Sequence, residues 1–293
     1  MDRTPHLFGG DWTTQKLDSL RKYLTAYTTA LKKTPFRLAY VDAFAGTGYR
    51  NNPKSKITGQ LAIPELKEED SQEFLDGSAR MALQVEPRFH KYFFIEQNRK
   101  RCKELEKLKD EFPDKRDDIN IKQEEANAYL QKFCRTIDWR SRRAVLFLDP
   151  YGMQVEWETI KAIGDTKAID LWILFPLGVA VNRMVTKDGE INELWKRKLD
   201  IMFGDTGWYE EFYRESVSQG FFGEKTRLEK VANFDTIGQY FVRRLKTAFY
   251  RVAENPRPLY NSRNVPLFLL CFATGNAKGA PIAMRIADHI LKG

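Results

Sequence analysis

The chain has 293 residues, 42% of them hydrophobic and 30% charged, with a formal net charge of +8 from 48 basic and 40 acidic side chains. That length suits one large α/β core with insertions, while no apolar run is long enough to span a bilayer and Met1-Asp2-Arg3-Thr4-Pro5 lacks a signal-peptide profile, so the expectation is a cytoplasmic protein with no membrane partner. Cys102, Cys134 and Cys271 are odd in number without C-x-x-C spacing, and His6, His90 and His289 form no H-E-x-x-H pattern, which argues against a disulfide framework, a metal site and histidine-based chemistry.

Phe8-Gly9-Gly10-Asp11-Trp12 reads as an exposed turn with an aromatic anchor, after which Thr13 caps a helix to about Lys33, with Leu17, Leu20, Leu24, Tyr27 and Leu31 on one face. Thr34-Pro35 ends it. Leu38 to Gly48 then runs as uninterrupted apolar residues into Asp42, Phe44, Gly46 and Gly48, the pattern of a central parallel strand delivering a ligand loop at its carboxyl end. The glycines let backbone N–H groups approach a ligand closely. Residues 51–76 lack periodicity and form an insertion, either a lid over the presumed pocket or a plain surface loop. Gly77-Ser78 opens a short helix, Ala79 to about Glu86.

Lys91 to Glu96 reads as a second strand ending in an acid. A carboxylate there can accept from both hydroxyls of a ribose, or can simply favour the start of the following helix. Ile119 to Gln123 suggests a third strand, after which Glu125 and Asn127 either reach an adenine edge or cap the next helix. The fourth strand, Arg143 to Leu148, runs into Asp149-Pro150-Tyr151-Gly152. A carboxylate and the carbonyl of Pro150 can accept the N–H bonds of an amine conjugated to an aromatic base and make its nitrogen more nucleophilic, while the Tyr151 ring stacks the base. The alternative is a strand-ending Asp-Pro turn.

A fifth strand, Ala168 to Phe175, is followed by an aromatic and charged stretch holding Trp195, Trp208, Tyr209, Phe212 and Tyr213, expected to be a helical substrate-recognition appendage with Phe221-Phe222-Gly223 as a loop. Thr236 to about Val252 is an amphipathic helix, Leu259-Tyr260 and Val265 to Thr274 form an antiparallel hairpin closing the sheet, and a last helix follows Gly279. The expected organisation is an N-terminal helical segment over 1–34, a Rossmann-like cofactor-binding core over 35–178 with the 51–76 insertion, a helical appendage over 179–234, and completion of the sheet over 235–293. Basic clusters at Arg135 to Arg143, Lys196-Arg197-Lys198 and Arg243-Arg244, with the positive balance, hint at a nucleic acid partner; each cluster can also be a solvated face.

This order of parts resembles a class I S-adenosylmethionine-dependent methyltransferase, and more specifically the three-Cys-motif partner proteins (TcmP). The likeness is carried by Phe8 to Trp12, Tyr23 to Tyr27, Val41 to Gly48, Gly77-Ser78-Ala79, Phe94-Ile95-Glu96 and Leu148 to Gly152. It implies a Rossmann-like, mostly parallel sheet with an antiparallel C-terminal hairpin, and S-adenosylmethionine as cofactor. Asp42, Gly46 and Gly48 would hold the methionine end with Phe44 in the same loop, Glu96 the ribose, and Asp149, with Pro150 and Tyr151, the target amine of a nucleic acid base. It also implies a partner protein with three cysteines. Methyltransferases of exocyclic base amines usually carry D-P-P-Y or N-P-P-Y, whereas this chain has D-P-Y-G with the aromatic one place forward. Two readings follow: an active amino methyltransferase, or a methyltransferase-fold partner that has lost catalysis. A nicotinamide dehydrogenase fits poorly, because G-T-G lacks the third glycine of G-x-G-x-x-G.

Overall fold

The computed structural model describes residues 11–43, 77–150, 152–220 and 223–293. Phe44, Gly46, Gly48, the 51–76 insertion and Tyr151 therefore lie outside the described residues, as do Phe8 to Gly10 and Phe221-Phe222. The elements are α1 (Asp11–Leu31), β1 (Arg37–Ala43), α2 (77–83), β2 (Lys91–Ile95), α3 (Arg99–Glu111), β3 (Ile119–Lys122), α4 (Ala126–Thr136), β4 (Arg142–Leu148), α5 (Trp157–Asp165) and β5 (Ile169–Phe175). They continue with α6 (Asn182–Met184), α7 (Glu193–Phe203), α8 (Trp208–Phe212), β6 (Tyr213–Gly220), β7 (Gly223–Lys230), α9 (Phe234–Ala248), β8 (Arg251–Val252), β9 (Arg257–Tyr260), β10 (Pro266–Thr274) and α10 (Ala280–Leu291).

Among the described residues the main sheet runs β3-β2-β1-β4-β5-β10-β8, with β9 also paired to β10. The β1–β2, β1–β4, β2–β3 and β4–β5 pairs are parallel, and β10 is antiparallel to β5, β8 and β9. The mostly parallel sheet with its antiparallel C-terminal hairpin is the arrangement expected of a Rossmann-like class I methyltransferase sheet. At the tip of that hairpin the Asn261 side chain accepts from the amides of Arg263 and Val265, each at 2.9 Å, and Asn264 takes a positive φ of 57°.

The apolar runs are uninterrupted because both faces are covered. Leu38 and Tyr40 of β1, Tyr92 and Phe94 of β2, Val145 and Phe147 of β4, and Trp172 and Leu174 of β5 pack toward α1, α2, α3 and α10. Their sequence neighbours Val41, Ile95, Leu146 and Ile173 pack toward α4, α5, α7, α8 and α9. On α1 the buried positions are Lys16, Ser19, Leu20, Tyr23, Leu24, Tyr27 and Thr28, a helical stripe that takes in polar residues. Trp12 stacks on Phe268 at 5.1 Å, and Tyr23 meets Trp172 and Phe272 at 5.2 and 5.0 Å.

Three expectations need correction. Thr13 lies within the first helix instead of capping it, since α1 already begins at Asp11. The helix expected to reach Val252 ends at Ala248, because Phe249 is extended (φ −118°, ψ 153°) and the chain turns into β8. Within 179–234, Tyr213–Gly220 and Gly223–Lys230 pair as an antiparallel hairpin, so this segment is not wholly helical. The aromatics of that segment serve packing: Trp208, Phe212 and Tyr213 are buried, in one cluster with Phe203, Tyr240 and Phe241.

Candidate active site

Side chains alternate along a strand, so residues two apart share a face. Asp42 follows Leu38 and Tyr40 in phase, Asp149 follows Val145 and Phe147, and Glu96 follows Tyr92 and Phe94. Three acids thus stand on one face of the sheet, at the carboxyl ends of the adjacent strands β2, β1 and β4. Open α/β sheets bind their ligands at such strand ends.

Asp42 is 1% exposed and accepts from the Tyr40 hydroxyl at 3.1 Å and from the Ser78 hydroxyl of α2. Burial pushes its carboxyl up to about 7; the Ser78 bond opposes this, the neighbouring Asp149 charge adds to it, and the Tyr40 bond and Lys16 oppose it. Asp149 is held from the other side. Lys16, on the second turn of α1 and 1% exposed, places Nζ 2.7 Å from Asp149 Oδ2. Burial lowers the Lys16 ammonium to about 8, against the pull of Asp149 and Asp42, which favour its charge. The lysine stem passes the rings of Trp12 and Phe147, with Nζ 5.1 and 5.9 Å from their centroids. Two carboxylates and one ammonium therefore form a single coupled group where β1 and β4 end.

Glu96 is also 1% exposed. Its Oε1 accepts from the Asn98 amide at 2.5 Å, and Arg101 Nη1 stands 4.0 Å from Oε2. Oε2 itself has no hydrogen-bond partner among the described residues. Burial raises this carboxyl to about 7, against the Asn98 amide, the Arg101 charge and the Gln97 amide. A buried acceptor left without a donor is costly unless a ligand supplies one. A cavity lined by Ile95, Glu96, Glu124, Glu125, Ala126 and Gln154 opens beside it.

Glu125 lines this cavity and Asn127 lies behind it in α4, and both side chains are engaged by the protein. Glu125 caps α4, accepting from the amides of Asn127 and Ala128 at 2.9 and 2.8 Å. Asn127 donates to Glu125 Oε1 and Gln154 O, and accepts from the Glu156 amide and the Thr159 hydroxyl. These bonds fix the loop between β4 and α5 against the start of α4. Pro150 is buried directly after Asp149.

Lys16 is the site residue that sequence reasoning missed. The available signal was its phase: it lies four residues before Leu20 and seven before Tyr23, in line with the buried stripe of α1. The basic clusters are partly engaged elsewhere. Arg140 pairs with Asp138, Arg143 lies over Phe36 at the amino end of β4, Arg243 pairs with Glu211, and Arg244 pairs with Asp205 at 2.8 Å. Among the described residues no group of His, Cys, Asp and Glu could hold a metal ion, and no helix is long and apolar enough to cross a membrane.

No protein-family model matches the chain, and no curated protein matches it. Solved structures similar to it include an O-methyltransferase from Bacillus cereus in complex with SAH (10% identity, 78% of this chain and 94% of that one, TM-score 0.31). Others are the glycopeptide N-methyltransferase MtfA complexed with S-adenosyl-L-homocysteine (11% identity, 86% and 89%, TM-score 0.30) and the plantazolicin methyltransferase BpumL in complex with SAH (10% identity, 90% and 85%, TM-score 0.27). At these TM-scores the likenesses carry no argument for this chain, whose strand order and strand-end acids stand by themselves.

Proposed function

We propose that the chain binds S-adenosylmethionine across the carboxyl ends of β2, β1 and β4 and transfers its methyl group to an amino nitrogen, with a nucleic acid base as the target. The observation that supports the cofactor most directly is Glu96 Oε2, buried at the tip of β2 without a hydrogen-bond partner among the described residues and bordering a cavity. A ribose hydroxyl is a donor of the kind that atom lacks. Asp42 supplies negative charge for the cationic methionine end, and the stretch with Phe44, Gly46 and Gly48 follows it directly in sequence. Bound there, the cofactor would supply an activated methyl on a sulfonium, so the protein needs mainly to align an acceptor with it.

Asp149 is the residue for that alignment. Its Oδ2 is engaged by Lys16, and its side chain is 19% exposed at the strand end. Oδ1 and the Pro150 carbonyl are then the acceptors for the two N–H bonds of an incoming amine, and Tyr151 is the residue to stack its ring. The nucleic acid target rests on the Asp149-Pro150-Tyr151 run and the net charge of +8. The test is methyl transfer from labelled S-adenosylmethionine to DNA and RNA. Asp149→Ala should abolish transfer and leave cofactor binding within a few-fold; equal transfer by the variant would remove Asp149 from this role. Binding to nucleic acid should weaken as salt rises.

The second reading is a non-catalytic methyltransferase-fold partner of a three-cysteine protein, as the likeness to TcmP proteins suggests. One observation favours it: an internal amine, Lys16, already occupies one oxygen of the presumed acceptor carboxylate. Binding of the cofactor, co-purification with such a partner and no transfer to any substrate would support it.

A further inference from the structure

We propose that Lys16 is a positioning residue of this site, fixing Asp149 through Oδ2 and setting the charge shared by Asp149 and Asp42, so that the N-terminal helix is part of the cofactor and amine site. The inference rests on the cofactor reading above. Its geometric basis is a lysine with 1% exposed side chain, 2.7 Å from a carboxylate whose own side chain is 19% exposed at the strand end. Burying an ammonium costs several kcal/mol, and a pair of this kind seldom adds net stability. Elsewhere α1 is held to the sheet by aromatic contacts and by hydroxyls, such as Tyr23 on Asp170. A charge at Lys16 is superfluous for docking this helix. It is useful where two carboxylates converge.

The groups that face Lys16 and Asp42 among the described residues include Asp149 and the Phe147 ring on β4, Tyr40 on β1, Ser78 on α2 and the Trp12 ring on α1 itself. Among the described residues Lys16 is the cation that offsets Asp42 and Asp149. Without it, none of the described cations offsets their repulsion, and Asp42 takes a proton more readily. A cationic ligand then meets Asp42 in its neutral form up to a higher pH. Two consequences are specific to this arrangement: the acid limb of cofactor binding should move upward when Lys16 loses its charge, and an arginine should preserve it.

The experiment is calorimetric titration of the full chain with S-adenosylmethionine from about pH 6 to about pH 9 for wild type, Lys16→Met and Lys16→Arg, with folding checked by circular dichroism. Using the same ligand throughout cancels its own titration. The expected result is an upward shift of about one pH unit in the acid limb for Lys16→Met, with Lys16→Arg near wild type. A folded Lys16→Met protein with an unmoved limb overturns the proposal. If wild type binds nothing at any pH, the cofactor reading fails instead. Should Lys16→Met not fold, NMR titration of ε-labelled lysine in wild type decides: the proposal expects one lysine titrating near 8, lower still in Asp149→Asn, and it is overturned if every lysine titrates near the ordinary 10.5.

Discussion

The face of the sheet that α1 covers carries buried carboxylates at both ends, and the two ends are finished differently. At the amino end of β5, Asp170 accepts from the Tyr23 hydroxyl at 2.7 Å and the Thr274 hydroxyl at 2.5 Å. Burial raises it to about 6 against those two bonds and the Arg143 charge. One oxygen goes to each neighbour, so Asp170 stitches α1 and β10 to β5 and has its demand met inside the protein. At the carboxyl ends, Glu96 keeps an oxygen with no hydrogen-bond donor among the described residues, and Asp42 and Asp149 share the one ammonium of Lys16. A closed network stabilises the fold, whereas an incompletely satisfied one marks where a ligand belongs.

Substitutions at the two ends of the sheet should have opposite effects on binding and stability. The largest effect is expected from Glu96→Ala, which should weaken S-adenosylmethionine binding by about 10- to 100-fold, the worth of hydrogen bonds to a charged acceptor, with little change in melting temperature. Tyr23→Phe should do the reverse, costing about 1–3 kcal/mol in denaturant unfolding by leaving Asp170 short of a donor, with affinity unchanged. Unchanged stability in Tyr23→Phe would remove the structural role assigned to the amino end.

Asp42 sharpens the contrast through pH. Its carboxyl ionises at about 7 in the fold against an ordinary 3.8, so its contribution to stability is full below pH 3.8 and is lost as pH rises through 7. Asp42→Asn cannot ionise. Its melting temperature relative to wild type should therefore climb between pH 5 and pH 8, while its affinity for the cationic cofactor falls. A flat difference across that range would show that Asp42 carries no such cost. The smallest effect is expected from Glu125→Ala, about 0.5–2 kcal/mol of stability from the lost α4 cap. Thermal unfolding beside a cofactor titration checks whether Glu125 matters to binding beyond that.

Much of this was legible in the sequence. The central strands announce themselves as apolar runs that end in Asp42, Glu96 and Asp149, since a strand covered on both faces has no polar alternation and a strand tip is where an acid can be tolerated. Lys16 was hidden because an amphipathic helix is read from its leucines, and the leucine stripe places the buried arc slightly off the one observed. The β6–β7 hairpin was hidden for a different reason. Outside its packed Tyr213 and Leu228, the stretch from Arg214 to Lys230 is largely charged and small, so no hydrophobic period marks its strands. The roles of Glu125 and Asn127 were undecidable in sequence, as a helix cap and a ligand contact ask for the same residue types.

A ligand site at the carboxyl ends of β2, β1 and β4 is tested most directly by calorimetric titration of the wild-type chain with S-adenosylmethionine, run beside Glu96→Ala and Tyr23→Phe at a temperature where all three are folded. Saturable binding is expected for wild type and Tyr23→Phe, and at least about tenfold weaker binding for Glu96→Ala. Absence of binding to wild type, or equal binding to all three proteins, would contradict a site there.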